Sequence, residues 1–117
     1  MNNLDEREAV MKFILNGRSF DTTTSSKVAV SRGVVPEGTY WALEYPGAEG
    51  VRYEHILFRT AKGSYFIHEH ETAKYHKGKP VVSDSANEMS PEEAMKWIES
   101  MGAMILDASG LPLPDEA

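Results

Sequence analysis

The chain has 117 residues, a net charge of −6, apolar and charged fractions typical of a globular protein, and no cysteine. That length holds one domain with a single core, and the missing cysteines exclude a disulfide framework and thiolate chemistry. No run approaches the roughly 20 apolar residues of a membrane helix, and the polar, acidic opening Met1-Asn-Asn-Leu-Asp-Glu-Arg-Glu is not a secretory signal, so the expected location is the cytoplasm.

In chain order, residues 1–10 read as a frayed start or a short helical turn. Lys12–Phe20 reads as a hairpin about Asn16-Gly17, the type I′ pair in which both residues tolerate φ > 0, with Leu15 facing Arg18 and Phe13 facing Phe20. Asp21 is a plausible N-cap for a short helix over about residues 22–32, stopped by Gly33, although the Thr/Ser run is poor helix material. After the connection Val34–Gly38, Thr39–Tyr45 alternates as a middle strand, which predicts that Trp41, Leu43 and Tyr45 share a face with Val51, Tyr53 and Leu57.

The stretch 51–70 organises the rest. Two arms rich in aromatic and β-branched residues flank Ala61-Lys62-Gly63. A two-residue Lys-Gly loop would force φ > 0 on Lys62. A three-residue loop with Gly63 at a left-handed bulge avoids this strain. That register sets Thr60 opposite Ser64, Phe58 opposite Phe66, Ile56 opposite His68 and Glu54 opposite His70. His55 then lies on the other face, and a one-residue slip would reverse every side chain. Both faces are partly apolar, so the reading covers one with a helix and the other with loops or a partner.

Residues 71–80 read as a basic loop punctuated by Gly78 and Pro80, followed by a short strand near 80–83 or 86–89. Ser90-Pro91-Glu92-Glu93 is a capping box that opens the best-defined helix. Ala94, Trp97, Ile98 and Met101 form its apolar stripe, and Gly102 ends it. Ala103–Leu106 tucks back as a short strand or packed segment, and residues from about 108 form a mobile tail of the single domain 1–117. The fold expected is α+β: an antiparallel sheet of two hairpins and a middle strand, with the C-terminal helix packed on one face.

Charge is segregated. Residues 52–79 carry six basic and three acidic side chains, whereas residues 80–117 set Lys96 alone against eight acids. A dipolar molecule of this kind favours protein partners steered by charge over direct nucleic-acid binding. The candidate partner-binding residues are Tyr40, Arg52, Lys74, Tyr75, Lys77 and Lys79. The sharpest chemical candidate is His68-Glu69-His70, because two histidines two apart on a strand share a face and, with Glu54 across from His70, could hold a divalent metal. Two half-exposed histidines at the end of a sheet face are the plainer explanation. There is no nucleophile elbow and no glycine-rich phosphate loop.

The Phe13–Thr22 opening, the Leu57–Ile67 hairpin and the Ser90–Ile98 helix together resemble small accessory proteins of phages and mobile elements. That group includes inhibitors of host defence such as anti-CRISPR proteins. The resemblance implies a non-enzymatic, protein-binding inhibitor of a host protein or nucleoprotein complex and carries over no catalytic residue. The first expectation is therefore a binding protein without a cofactor, free of membranes and able to form a homodimer. The alternative is a metal-binding domain or small metal-dependent enzyme built on His68, His70 and Glu54.

Overall fold

The computed structural model describes residues 11–36 and 45–114. Its elements are β1 (Lys12–Leu15), β2 (Arg18–Asp21), β3 (Ser26–Pro36), β4 (Ala48–Arg59), β5 (Tyr65–Tyr75), β6 (Val81–Met89), α1 (Pro91–Met101) and β7 (Met104–Ile105). They form an α+β fold. A five-stranded antiparallel sheet runs in the order β6-β5-β4-β3-β7, and β1-β2 forms a separate two-stranded sheet.

The β4–β5 hairpin has the bulged three-residue turn. Gly63 has φ 91°, its N–H donates to the Thr60 carbonyl at 2.9 Å, and the Thr60 N–H donates to the Ser64 carbonyl at 2.8 Å. The register follows from that turn: Phe58 pairs with Phe66, Ile56 with His68 and Glu54 with His70. His55 therefore points to the other face. The β1–β2 turn is also as read, with Asn16 at φ 53°, Gly17 at φ 77° and Phe13 opposite Phe20.

The two faces are covered by different elements. On one, Ala94 and Ile98 of α1 pack on Val28, Ala29, Leu57 and Tyr65. On the other, Phe20 of the β1–β2 hairpin sits on Phe58 and Phe66, with the Phe20 and Phe66 rings edge-on and Phe58 stacked on Phe66. The second cover is thus the N-terminal hairpin. It is fastened to β6 by Asn16 and Arg18, both of which donate to the Glu88 carboxylate.

Three expectations are corrected. Residues 22–32 form no helix; the chain turns over 22–25 and continues as β3. Asp21 makes an Asx turn instead of capping a helix, accepting from the Thr23 N–H at 2.8 Å. The β-branched Val30, Val34 and Val35 then gain a ladder with β4, and Val28 sits at a bulge between the paired Lys27 and Ala29. Residues 71–80 are not a continuous loop, because β5 runs on to Tyr75 between β4 and β6, burying Glu71 and Ala73. The short strand expected near either 80–83 or 86–89 is instead one nine-residue strand, β6, that spans both. The middle strand predicted over 39–45, with Tyr40 and Trp41, lies outside the described residues except for Tyr45. The strand beside β4 is β3.

The helix forms as its sequence directs. Ser90 and Glu93 make a reciprocal capping box, and Gly102 closes the helix in the left-handed conformation at φ 59°. The segment after it is held down as far as Leu111. β7 pairs with Ala29 and Val30, Arg59 meets Asp107 and Ser109, and the Tyr65 hydroxyl donates to the Gly110 carbonyl at 2.8 Å.

Candidate functional site

Alternation along β4 and β5 sorts their polar residues into two clusters on opposite faces of the sheet. On the hairpin-covered face, His68 Nε2 lies 2.8 Å and His70 Nδ1 2.7 Å from the same Asp84 oxygen. An ionised carboxylate only accepts, so both nitrogens carry protons and the two tautomers are fixed. His68 is buried beneath Phe13, with ring centroids 5.3 Å apart, whereas His70 is half-exposed at the edge of the cover. Burial raises the Asp84 carboxyl, but the hydrogen bonds from His70 and His68 outweigh it and hold the group below its ordinary value.

This is not the set expected for a metal. Glu54 faces His70 in register but pairs with Arg32 at 3.7 Å, and the carboxylate shared by the histidines is Asp84. The ring centroids of His68 and His70 are 6.4 Å apart, so their bonded nitrogens stand at least about 4 Å from each other, against roughly 3.3 Å between two ligands of a tetrahedral zinc. Among the described residues no group of three or more histidine, cysteine or acidic side chains is arranged to hold a metal ion.

On the opposite face, beyond the reach of α1, His55 is 2% exposed and its Nε2 donates to Glu71 Oε2 at 3.0 Å. The Tyr45 hydroxyl donates to the other Glu71 oxygen at 2.9 Å, and His55 Nδ1 lies 3.8 Å from Glu69. Glu71 thus enters the interior with both oxygens paired, which a buried carboxylate requires. This cluster cross-links β4, β5 and the chain entering β4.

The third feature is open. The β1–β2 hairpin covers only the part of its face around Phe58 and Phe66. Beyond His70 the same face holds a depression of about 380 Å³ lined by Arg32, Val34, Arg52, Glu54, His70 and Thr72. It continues to Glu49, Lys74 and Pro80 as a second of about 480 Å³. Val34 is 64% and Val82 58% exposed on this side. The two carboxylates of the groove are engaged, Glu54 with Arg32 and Glu49 with His76. Arg52 and Lys74 enter no ion pair among the described residues.

Of the residues singled out as partner-binding, the structure brings Arg52 and Lys74 together on the groove. Lys77 and Lys79 are exposed in the turn between β5 and β6. Tyr75 is not with them: it packs on the Ala48–Val51–Ala73 cluster on the opposite face. Tyr40 lies outside the described residues. Sequence reasoning missed Arg32, hidden by the false helix, and Asp84, whose alignment with His70 depends on the register of β6. Comparison with known proteins finds no matching family model, no matching curated protein and no matching solved structure.

Proposed function

We propose that this chain is a non-enzymatic binding protein that docks an acidic segment of a partner protein, or of a nucleoprotein complex, in the open groove of the hairpin-side face. The observation that carries this reading is Arg52 and Lys74 standing without carboxylate partners beside exposed Val34 and half-buried Thr72, on sheet that no described element covers. Exposed aliphatic surface framed by unneutralised cations fits an acidic strand or loop that brings both apolar and anionic side chains. Neither histidine cluster offers a nucleophile, and both are closed on their own carboxylates. The wider reading is a phage- or mobile-element-type inhibitor of a host defence complex, supported by the resemblance of the three segments quoted above.

The test is quantitative capture from bacteria that carry an active CRISPR system, paired with phage plaquing in the same strain. Expression should restore plaquing by a targeted phage and capture a defence component. The double variant Arg52→Glu/Lys74→Glu should lose both, while Lys96→Glu on the exposed side of α1 should keep both. Capture that is indifferent to the groove charges would defeat the docking surface, and normal defence in the presence of the protein would defeat the inhibitor reading.

A further inference from the structure

We propose that β6 is the interface of a homodimer, in which it pairs antiparallel with β6 of a second copy about a two-fold axis through Ser85. The inference is independent of the groove. β6 ends the sheet order, and no described strand pairs with its outer side. Natural proteins blunt such edges with charged side chains, lysine above all, and with proline, bulges or very short strands. β6 has no lysine, proline or bulge: Val81–Met89 runs nine residues and keeps unbroken register with β5 from Ala73–Val81 to Tyr65–Met89, and its two acids, Asp84 and Glu88, are both engaged within the chain. The opposite edge is guarded in part by β7 at Ala29 and Val30.

The strand is also self-complementary in one register. A two-fold axis perpendicular to the sheet must pass through a residue, since paired residues share a face. Centred on Ser85, all nine residues find partners. Val81 faces Met89 of the second copy, Val82 faces Glu88, Ser83 faces Asn87, Asp84 faces Ala86, and Ser85 faces itself. No like charges oppose each other. Exposed Val81 (46%) gains an apolar neighbour that already packs on the core. Moving the axis to Asp84 sets that carboxylate against its own copy, and moving it to Ala86 sets Asp84 against Glu88; both are penalised. The strand's own acids are engaged within each chain: Asp84 accepts from two imidazoles, and Glu88 pairs with Arg18 and accepts from Asn16. Neither carboxylate is left without a partner at the edge that meets the second copy.

Pairing along one strand buries little area, so the dimer should dissociate in the micromolar range. Sedimentation equilibrium of the full chain, from about 5 to 200 µM, should show a monomer–dimer equilibrium. The chain has no cysteine, so single-cysteine variants report the register. Residue 85 faces its own copy, at a separation that a disulfide can close with small adjustment. Residue 87 stands about 13 Å from its copy. Under mild oxidation Ser85→Cys should become mostly covalent dimer and Asn87→Cys should stay largely uncrosslinked, with both variants keeping the wild-type far-ultraviolet circular dichroism. A monomer throughout the concentration range overturns the proposal, as it would if another segment of this chain covered the edge. A dimer in which Ser85→Cys crosslinks no faster than Asn87→Cys overturns it equally.

Discussion

Asp84 holds two imidazoles on one oxygen and so ties the middle of β5 to β6. Charge-assisted hydrogen bonds to a largely buried carboxylate are among the stronger single interactions in a small domain. Asp84→Asn keeps an acceptor but loses the charge, and should cost about 1–3 kcal/mol in urea unfolding at pH 7. The pH dependence has a definite sign. The Asp84 pKa lies lower in the folded protein than in the unfolded chain, so its stabilisation is complete above the unfolded value of about 4 and is lost as pH falls through the folded one. The difference between wild type and Asp84→Asn should therefore narrow on acidification below about pH 4. Asp21, lowered mainly by its Thr23 hydrogen bonds, and Asp107, lowered mainly by Ser109, keep an acid-sensitive component in the variant. Across the sheet, Tyr45→Phe removes the hydroxyl donated to Glu71 Oε1. The carboxylate is buried and still faces His55, so a loss of about 1–2 kcal/mol is expected, measured by thermal or urea unfolding.

The elements differ in how much of them the sequence discloses. The β4–β5 hairpin was legible from its turn out to about residue 70, though not in its continuation to Tyr75, because turn chemistry and alternation agree there: Gly63 takes the left-handed bulge, and the aromatic pairs follow. Gly63→Ala puts a Cβ where φ is 91°, so it should destabilise by about 1–2 kcal/mol although nothing crowds the site. Chemical denaturation would measure it, and Gly63→Asn should recover part of the loss. The capped helix was legible for the same reason, with local signals at both ends and a stripe between. β3 was not, because Asp21 and the Thr/Ser run carry the same cap chemistry at a turn as at a helix start. β6 was not, because Ser, Asp, Ala and Asn have little strand preference of their own. β5 supplies their ladder, and the hairpin and the histidines supply partners for their acids. The candidate site inherited both blind spots: Arg32 rides on β3 and Asp84 on β6, so only Arg52, Glu54, His68 and His70 could be placed beforehand, and Lys74 was singled out but assigned to a loop. The β1–β2 hairpin was read correctly as a hairpin but not as a lid. Phe20, at 2% exposure over Phe58 and Phe66, is its anchor. Phe20→Ala should cost about 3–5 kcal/mol, read by urea unfolding, and detach the cover from His68.

Among the described residues, two covers that stop short of the sheet's far end leave an open charged groove. If the proposed acidic partner docks there, Arg52 and Lys74 would act on it before contact, since complementary charge speeds encounter more than it tightens the bound state. The sheet geometry adds a second consequence. With β6 paired about Ser85, two five-stranded sheets join into one of ten strands, and a perpendicular axis keeps both groove-bearing faces on the same side at opposite ends. A partner that presents two acidic segments could then be held at both grooves, and its apparent affinity would exceed that of either alone. Against a captured partner, the association rate should fall steeply as salt is raised through the physiological range, while the dissociation rate changes little. Arg52→Glu/Lys74→Glu should lower the low-salt association rate by about 10- to 100-fold and flatten its salt dependence, as followed by stopped-flow or surface-based kinetics. If the double reversal instead left association unchanged and raised only dissociation, the groove cations would be short-range contacts, and charge steering would have to come from elsewhere on the molecule.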